Sequence, residues 1–198
     1  MNLPGVVVER WAVWRATPET PKPDVSFVPP LMRRRLTEVE RAAISVAKAV
    51  YPEPPPEEGV PVVFASRWGE IGTTVKLMTQ FHAEGEMSPA GFSASVHNAA
   101  PGVLSMLTCN RADYTAIAAR GRTLSAGFME ALARRTRQVF VYAEESTPDF
   151  YRPAFGPEQE AMAVAVLLDS SGWRWNGDPL PPGCTFDAFV ALLEGAPA

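Results

Sequence analysis

Side-chain catalysis needs a nucleophile or proton carrier held beside a second group that tunes it. Few candidates exist among these 198 residues. His82 and His97 are the only histidines, and Cys109 and Cys184 the only cysteines. His82 falls near the end of a predicted helix and reads as a surface or capping residue. His97 stands beside Asn98 in a turn-like stretch and reads as structural. Neither has the spaced partners of a metal-ligand set, so no metal site and no cofactor are expected. Cys109 precedes Asn110-Arg111 without a histidine or asparagine at a diagnostic spacing, and a lone, inert thiol is the default reading. Ser66 with Gly69, and Ser125 with Gly127, match neither a phosphate-binding loop nor the G-x-S-x-G elbow. Gly69-Glu70-Ile71-Gly72 lacks the third glycine of a dinucleotide fingerprint.

One constellation has the right local shape. Tyr114-Thr115-Ala116-Ile117-Ala118 reads as a strand, Gly121 as a sharp turn, and Thr123 as the cap of a helix that turns Leu124, Phe128, Ala131 and Leu132 inward. A strand–turn–helix of this kind holds a reactive side chain at a helix start, where the dipole favours an anion. Here the turn is Ala118-Ala119-Arg120-Gly121-Arg122 and offers neither cysteine nor serine. No catalytic residue is assigned.

The elements that would position such a site alternate along the chain. Val6 to Trp14 is β-branched and aromatic, a strand with a break near Glu9. Thr37 and Glu40 form a capping-box pattern ahead of Val39, Ala42, Ala43, Val46 and Val50, which share one helical face until Pro52 ends the run. Val62-Val63-Phe64-Ala65 is a continuously apolar buried strand. Ile71, Val75, Met78 and Phe81 mark one side of a second helix. Asn98 is placed to cap a short helix through Leu107, with Pro101 tolerated in its first turn. Residues 139–142 and 162–168 are two further buried strands, and 183–198 are assigned no element. Strands alternating with amphipathic helices predict an α/β fold, a mainly parallel sheet with helices on both faces.

Bulk properties narrow the function further. Hydrophobic residues make up 46%, charged residues 20%, and the net charge is −4. No basic cluster exceeds Arg33-Arg34-Arg35, which argues against nucleic acid. The longest apolar run, 161–168, is far short of a membrane span. Two cysteines without a disulfide framework, and no signal-like N-terminus, suggest a reduced, cytoplasmic setting. The proline-rich stretches read as loops within one domain covering 1–198.

Four blocks, in order, are similar to the N-terminal half of the β-ketoacyl synthases, of the thiolase-like superfamily. Met32-Arg33-Arg34-Arg35-Leu36-Thr37 with its helix resembles the early Arg-Arg segment. Residues 62–72 resemble the next strand, small-residue turn and helix. Residues 88–102, from Ser88-Pro89 through Asn98 to Gly102, resemble the segment ahead of the nucleophile strand and are the most specific piece. Residues 114–144 resemble the nucleophile strand, elbow helix and following strand. The third and fourth blocks are closest to the chain-length-factor-like subunits of aryl polyene and related polyketide clusters.

That resemblance implies a subunit of a synthase complex with acyl-carrier-protein chemistry and little activity of its own. The elbow cysteine of a working synthase is absent, Ile117, Ala118 and Ala119 standing near its place. The two histidines of the C-terminal half have no counterpart. A group that works as a unit loses most activity when several members are missing. The partner implied is a complete ketosynthase, in a hetero- or homodimer across the 113–118 strand. Phe92, Asn98, Met106, Tyr114, Ala116 and Ile117 are placed near that interface or an acyl tunnel, with core packing the simpler role for Met106 and Ile117. Two alternatives remain: a small acyltransferase or thioesterase using Cys109 or a serine, and a homodimeric carrier-protein docking module.

Overall fold

The computed structural model describes residues 3–151, 160–181 and 183–195. Its elements run β1 (Val7–Arg15), α1 (Pro30–Arg33), α2 (Glu38–Val50), β2 (Val62–Ala65), α3 (Ile71–Glu84), α4 (Pro89–Ser93) and α5 (Ala99–Thr108). They continue with β3 (Tyr114–Ile117), a 3₁₀ turn (Arg120–Arg122), α6 (Thr123–Ala133), β4 (Arg137–Glu144), a second 3₁₀ turn (Asp149–Tyr151), β5 (Met162–Asp169) and α7 (Phe186–Glu194). The five strands form one sheet in the order β1-β5-β4-β2-β3.

β2 pairs in parallel with both β3 and β4, while β5 pairs antiparallel with β1 and β4. Four strands therefore point one way and β5 alone is reversed. Because β5 lies inside the sheet, two of the four pairings are antiparallel, and the sheet is mixed where a mainly parallel one was expected.

Side-chain alternation explains the two faces. Val62, Phe64, Val139, Val141, Ala163, Ala165 and Leu167 pack with the buried face of α2 and with Ala100 and Leu104 of α5. Val63, Ala65, Phe140, Val164, Val166 and Leu168 meet α6 and α7 on the opposite side. Strands buried on both faces need continuously apolar sequence, which is the pattern of β2 and β5. Phe128, Phe140 and Phe189 form an edge-on aromatic trio between α6, β4 and α7.

Several local signals act as their chemistry dictates. Thr37 accepts from the Glu40 amide, and Glu40 accepts from the Thr37 amide at 2.8 Å, a complete capping box. The register of β1 shifts between Val8 and Arg10, the break read at Glu9. Thr123, by contrast, does not cap its helix; it is the first residue of α6 and bonds backward into the elbow. Asn98 occupies the N-cap position of α5 without a side-chain capping bond. α7 was not anticipated, yet Thr185 caps it through the Ala188 amide, and Phe186, Phe189 and Leu193 are its buried residues.

Candidate functional site

In a sheet of this kind functional groups gather beyond the carboxyl ends of the parallel strands. Here these are Ala65, Ile117 and Glu144 of β2, β3 and β4. The Ser66 amide donates to the Ile117 carbonyl at 3.1 Å, tying the first two ends together.

The elbow after β3 is built around a strained residue. Arg120 takes φ of +53°, a left-handed backbone that non-glycine residues rarely hold, whereas neighbouring Gly121 is not in that region. The Thr123 hydroxyl locks it, accepting from the Ala119 amide at 2.8 Å and donating to the Arg120 carbonyl at 2.7 Å. Thr123 itself is only 2% exposed. Arg120 is exposed. An arginine therefore occupies the strained position of the strand–turn–helix, and no nucleophile stands there. Gly127 lets α6 approach the sheet: a Cβ there would lie 2.5 Å from that of Ala65.

β3 is an edge strand with one side unpaired. Large apolar side chains are exposed on it and on the elements that precede it in the chain. Met106 is 63% exposed, Phe92 58%, Met78 62% and Phe81 52%, joined by Val96 and Tyr114. Gly102 of α5 faces the Tyr114 hydroxyl, and Met106 lies one turn further along the same helix side. α3 and α4 pack on each other and on little else, so α3 buries only Leu77. Met78 and Phe81, which mark one side of α3, thus face outward. A patch of large apolar residues on successive elements is the signature of a contact surface.

The six residues placed at an interface from sequence fall into two groups. Phe92, Met106 and Tyr114 lie on this exposed surface, and Asn98 is exposed at the start of α5. Met106 is thereby corrected from core packing to surface. Ala116 and Ile117 are half-buried on β3 and pack toward opposite faces of the sheet. A cleft of about 320 Å³ lies beside Met106, lined by Phe27, Met32, Leu104 and Leu107 and by the polar Lys48 and Thr108.

Behind the surface lies a polar network that sequence reading missed. Glu144 accepts from the Ser66 hydroxyl at 3.2 Å and from the Arg67 amide. Ser66 in turn accepts from the Gly69 amide at 2.8 Å. Glu145 accepts from the Gly72 amide, filling the N-terminus of α3 where Glu70 provides no capping bond. His97 Nε2 donates to the Ser66 carbonyl at 2.7 Å, since a carbonyl can only accept, and its ring lies against Phe64. That is the structural role expected of His97. His82 is exposed in the last turn of α3, also as read.

Burial raises these carboxyl pKa values. Desolvation pushes Glu144 to about 7, partly opposed by the Arg67 amide and the Tyr142 and Ser66 hydroxyls. Desolvation likewise lifts Glu145 to about 7, with Glu38 adding to it and the Gly72 amide and Lys76 opposing. Glu70, 2% exposed, is pushed up to about 9 by burial, with Glu40 and Glu145 nearby adding to the rise. The Thr37 hydroxyl partly offsets this without reaching hydrogen-bond geometry. The signal for this network was Glu144-Glu145 at the end of an apolar strand, where two successive acids are costly to bury.

Cys109 is exposed and closes α5 in a left-handed conformation. Among the described residues no group of three His, Cys, Asp or Glu side chains is placed to hold a metal ion. No helix among them is long and apolar enough to cross a membrane.

Residues 11–181 match the family described as β-ketoacyl synthase, N-terminal domain. Two solved structures share the fold. One is a ketosynthase (ApeO) in complex with its chain length factor (ApeC) from Xenorhabdus doucetiae, with a TM-score of 0.71 and 21% identity over 86% of this chain and 81% of that one. The other is the ishigamide ketosynthase/chain length factor, with a TM-score of 0.64 and 12% identity over 83% and 62% of the two chains. At such identities the likeness speaks to fold. No curated protein sequence matches the chain.

Proposed function

We propose, because the chain belongs to the family of β-ketoacyl synthase N-terminal domains, that it is a non-catalytic subunit pairing with a complete ketosynthase in chain-length-factor fashion. The observation that carries this reading is a combination. The open edge of β3 and the exposed side chains of Phe92, Met106 and Tyr114 belong to a chain whose strand–turn–helix elbow, with Arg120 at its strained position, offers no nucleophile. An uncovered edge strand beside large apolar side chains is an association hazard unless a partner covers it. An arginine guanidinium is always protonated and cannot form an acyl thioester.

Two of the similar structures contain a ketosynthase together with a chain length factor, which supports a ketosynthase as the partner. In such a complex the partner supplies the chemistry and this chain shapes the space for the growing acyl group. Acyl carrier protein is then the substrate donor to the complex.

The test is co-expression with candidate ketosynthases and affinity capture, with Met106→Asp and Phe92→Asp as probes. Both side chains are exposed in the lone chain, so a charge there spares the fold. Within an interface it would be buried unpaired, costing several kcal/mol, or more than about a hundredfold in affinity. Ala116→Asp is a poorer probe because Ala116 also packs against the core. Wild-type capture by folded Met106→Asp and Phe92→Asp chains would remove this surface from the interface. Condensation of an acyl thioester by the chain alone would overturn the non-catalytic role.

A further inference from the structure

We propose that Glu144 and Glu145 form a proton-dependent latch at the root of the α3–α4 arm, whose opening releases a proton to solvent. The arm is otherwise poorly anchored: α3 packs on α4, buries only Leu77, and every residue from 81 to 90 is exposed. What fixes its root is the loop 66–72, and that loop is held by carboxylates. Glu144 receives the Arg67 amide and the Ser66 hydroxyl, and Glu145 receives the Gly72 amide at the start of α3. These two acids come from consecutive positions at the end of β4, so one short segment holds both ends of the loop. His97 closes the loop from the other side through the Ser66 carbonyl.

The groups facing the latch make it respond to protons. Tyr142 lies beside Glu144 on β4, and Arg67 comes from the loop itself. Glu38 on α2 faces Glu145, Lys76 on α3 faces it with opposite sign, and Glu70, with Glu40 behind it, adds negative charge just ahead of α3. Neither carboxyl oxygen of Glu70 has a hydrogen-bond partner although the residue is buried. Carboxyls gathered in a dry site cannot all ionise there, but can once the loop opens to water.

The sign follows from linkage. The closed state holds its protons up to about pH 7 at both latch residues. The open state releases them near the ordinary glutamate value of 4.5. Closure is therefore favoured at acid pH and weakens as pH rises through that window, reaching a plateau above it. The inference does not depend on any partner.

Hydrogen exchange of the full chain tests it, reading the Arg67 and Gly72 amides and those of α3, corrected for intrinsic exchange. Protection in the wild-type chain should fall by about fortyfold between pH 5 and 7 for each proton released on opening. Glu145→Gln mimics the protonated form at one of the two acids and should remove that residue's share of the pH dependence, most of all at the Gly72 amide. Lys76→Met, an exposed change that leaves the fold intact, removes an opposing charge and should carry the plateau to higher pH. Protection independent of pH in the wild type, or an unshifted plateau in Lys76→Met, would overturn the latch. So would a folded Glu145→Gln that keeps the wild-type dependence.

Discussion

Thr123→Val interrogates the elbow directly. Valine keeps the shape of threonine, so no cavity forms, and the change removes only the hydroxyl. That hydroxyl makes two bonds, one from the Ala119 amide at 2.8 Å and one to the Arg120 carbonyl at 2.7 Å. Each is worth about 1 kcal/mol net, more where the abandoned group cannot reach water, so the loss should be about 2 kcal/mol. Arg120→Gly acts in the other direction. Relief of the left-handed conformation recovers about 1–2 kcal/mol, and the flexibility of glycine returns about 0.5–1 kcal/mol of it. The net is a small gain. The two changes should also couple, because a glycine at 120 adopts the turn without being clamped. In an Arg120→Gly background, Thr123→Val should cost about 1 kcal/mol less than in the wild type. Urea denaturation with an unchanged m-value measures all four proteins. A Thr123→Val loss below about 0.5 kcal/mol, or strict additivity, would refute the claim that Thr123 holds Arg120 in its strained conformation.

Other outcomes follow from the same geometry. Met106→Asp and Phe92→Asp should each leave the stability of the lone chain within about 0.5 kcal/mol, as surface changes do, while abolishing ketosynthase capture. Gly127→Ala should destabilise by about 1–3 kcal/mol, since the added carbon meets Ala65 at 2.5 Å and Phe140 at 3.1 Å; thermal denaturation reads it. Glu70 holds a proton up to about pH 9 in the fold against 4.5 for an ordinary glutamate. Its contribution to stability is thus largest at acid pH and is lost as pH rises toward 9, and Glu70→Gln should flatten that decline in denaturation curves taken between pH 5 and 8. Cys109→Ala should leave the activity of any reconstituted complex unchanged in a condensation assay, although the exposed thiol labels readily with alkylating reagents.

The strands and the well-capped helix were legible because local chemistry and tertiary role coincide there. Val62 to Ala65 is apolar throughout and buried throughout, and Thr37 with Glu40 caps α2 by a purely local exchange of bonds. α3 shows the opposite. Its apolar side chains at helical spacing predict a buried face, but periodicity says only that a face is apolar, and the surface that would cover Met78 and Phe81 is absent from the lone chain. The same ambiguity misassigned Met106. The strain at Arg120 was hidden because the adjacent glycine is the usual bearer of a left-handed turn, and the locking hydroxyl of Thr123 reads equally well as a helix cap. The carboxylate network was hidden for a different reason: it joins the end of β4 to the loop after β2, through a hydroxyl and a backbone amide 78 and 77 positions away from Glu144.

The two borders of the sheet are not equivalent. β1 carries an irregularity between Val8 and Arg10, and Glu9 is clasped by Arg137 through two bonds of 2.7 and 2.8 Å. Such features twist and charge a border so that another strand cannot add to it. The pairing of β3 with β2 has no such irregularity, an Arg134–Asp113 ion pair lies just ahead of the strand, and Tyr114 is exposed on it. If a partner strand adds at β3, as proposed, the sheet would have one receptive border and one closed one. A chain with a single receptive border ends any row it joins, so two such borders meeting would exhaust the valency of both, a geometry that favours closed pairs over filaments.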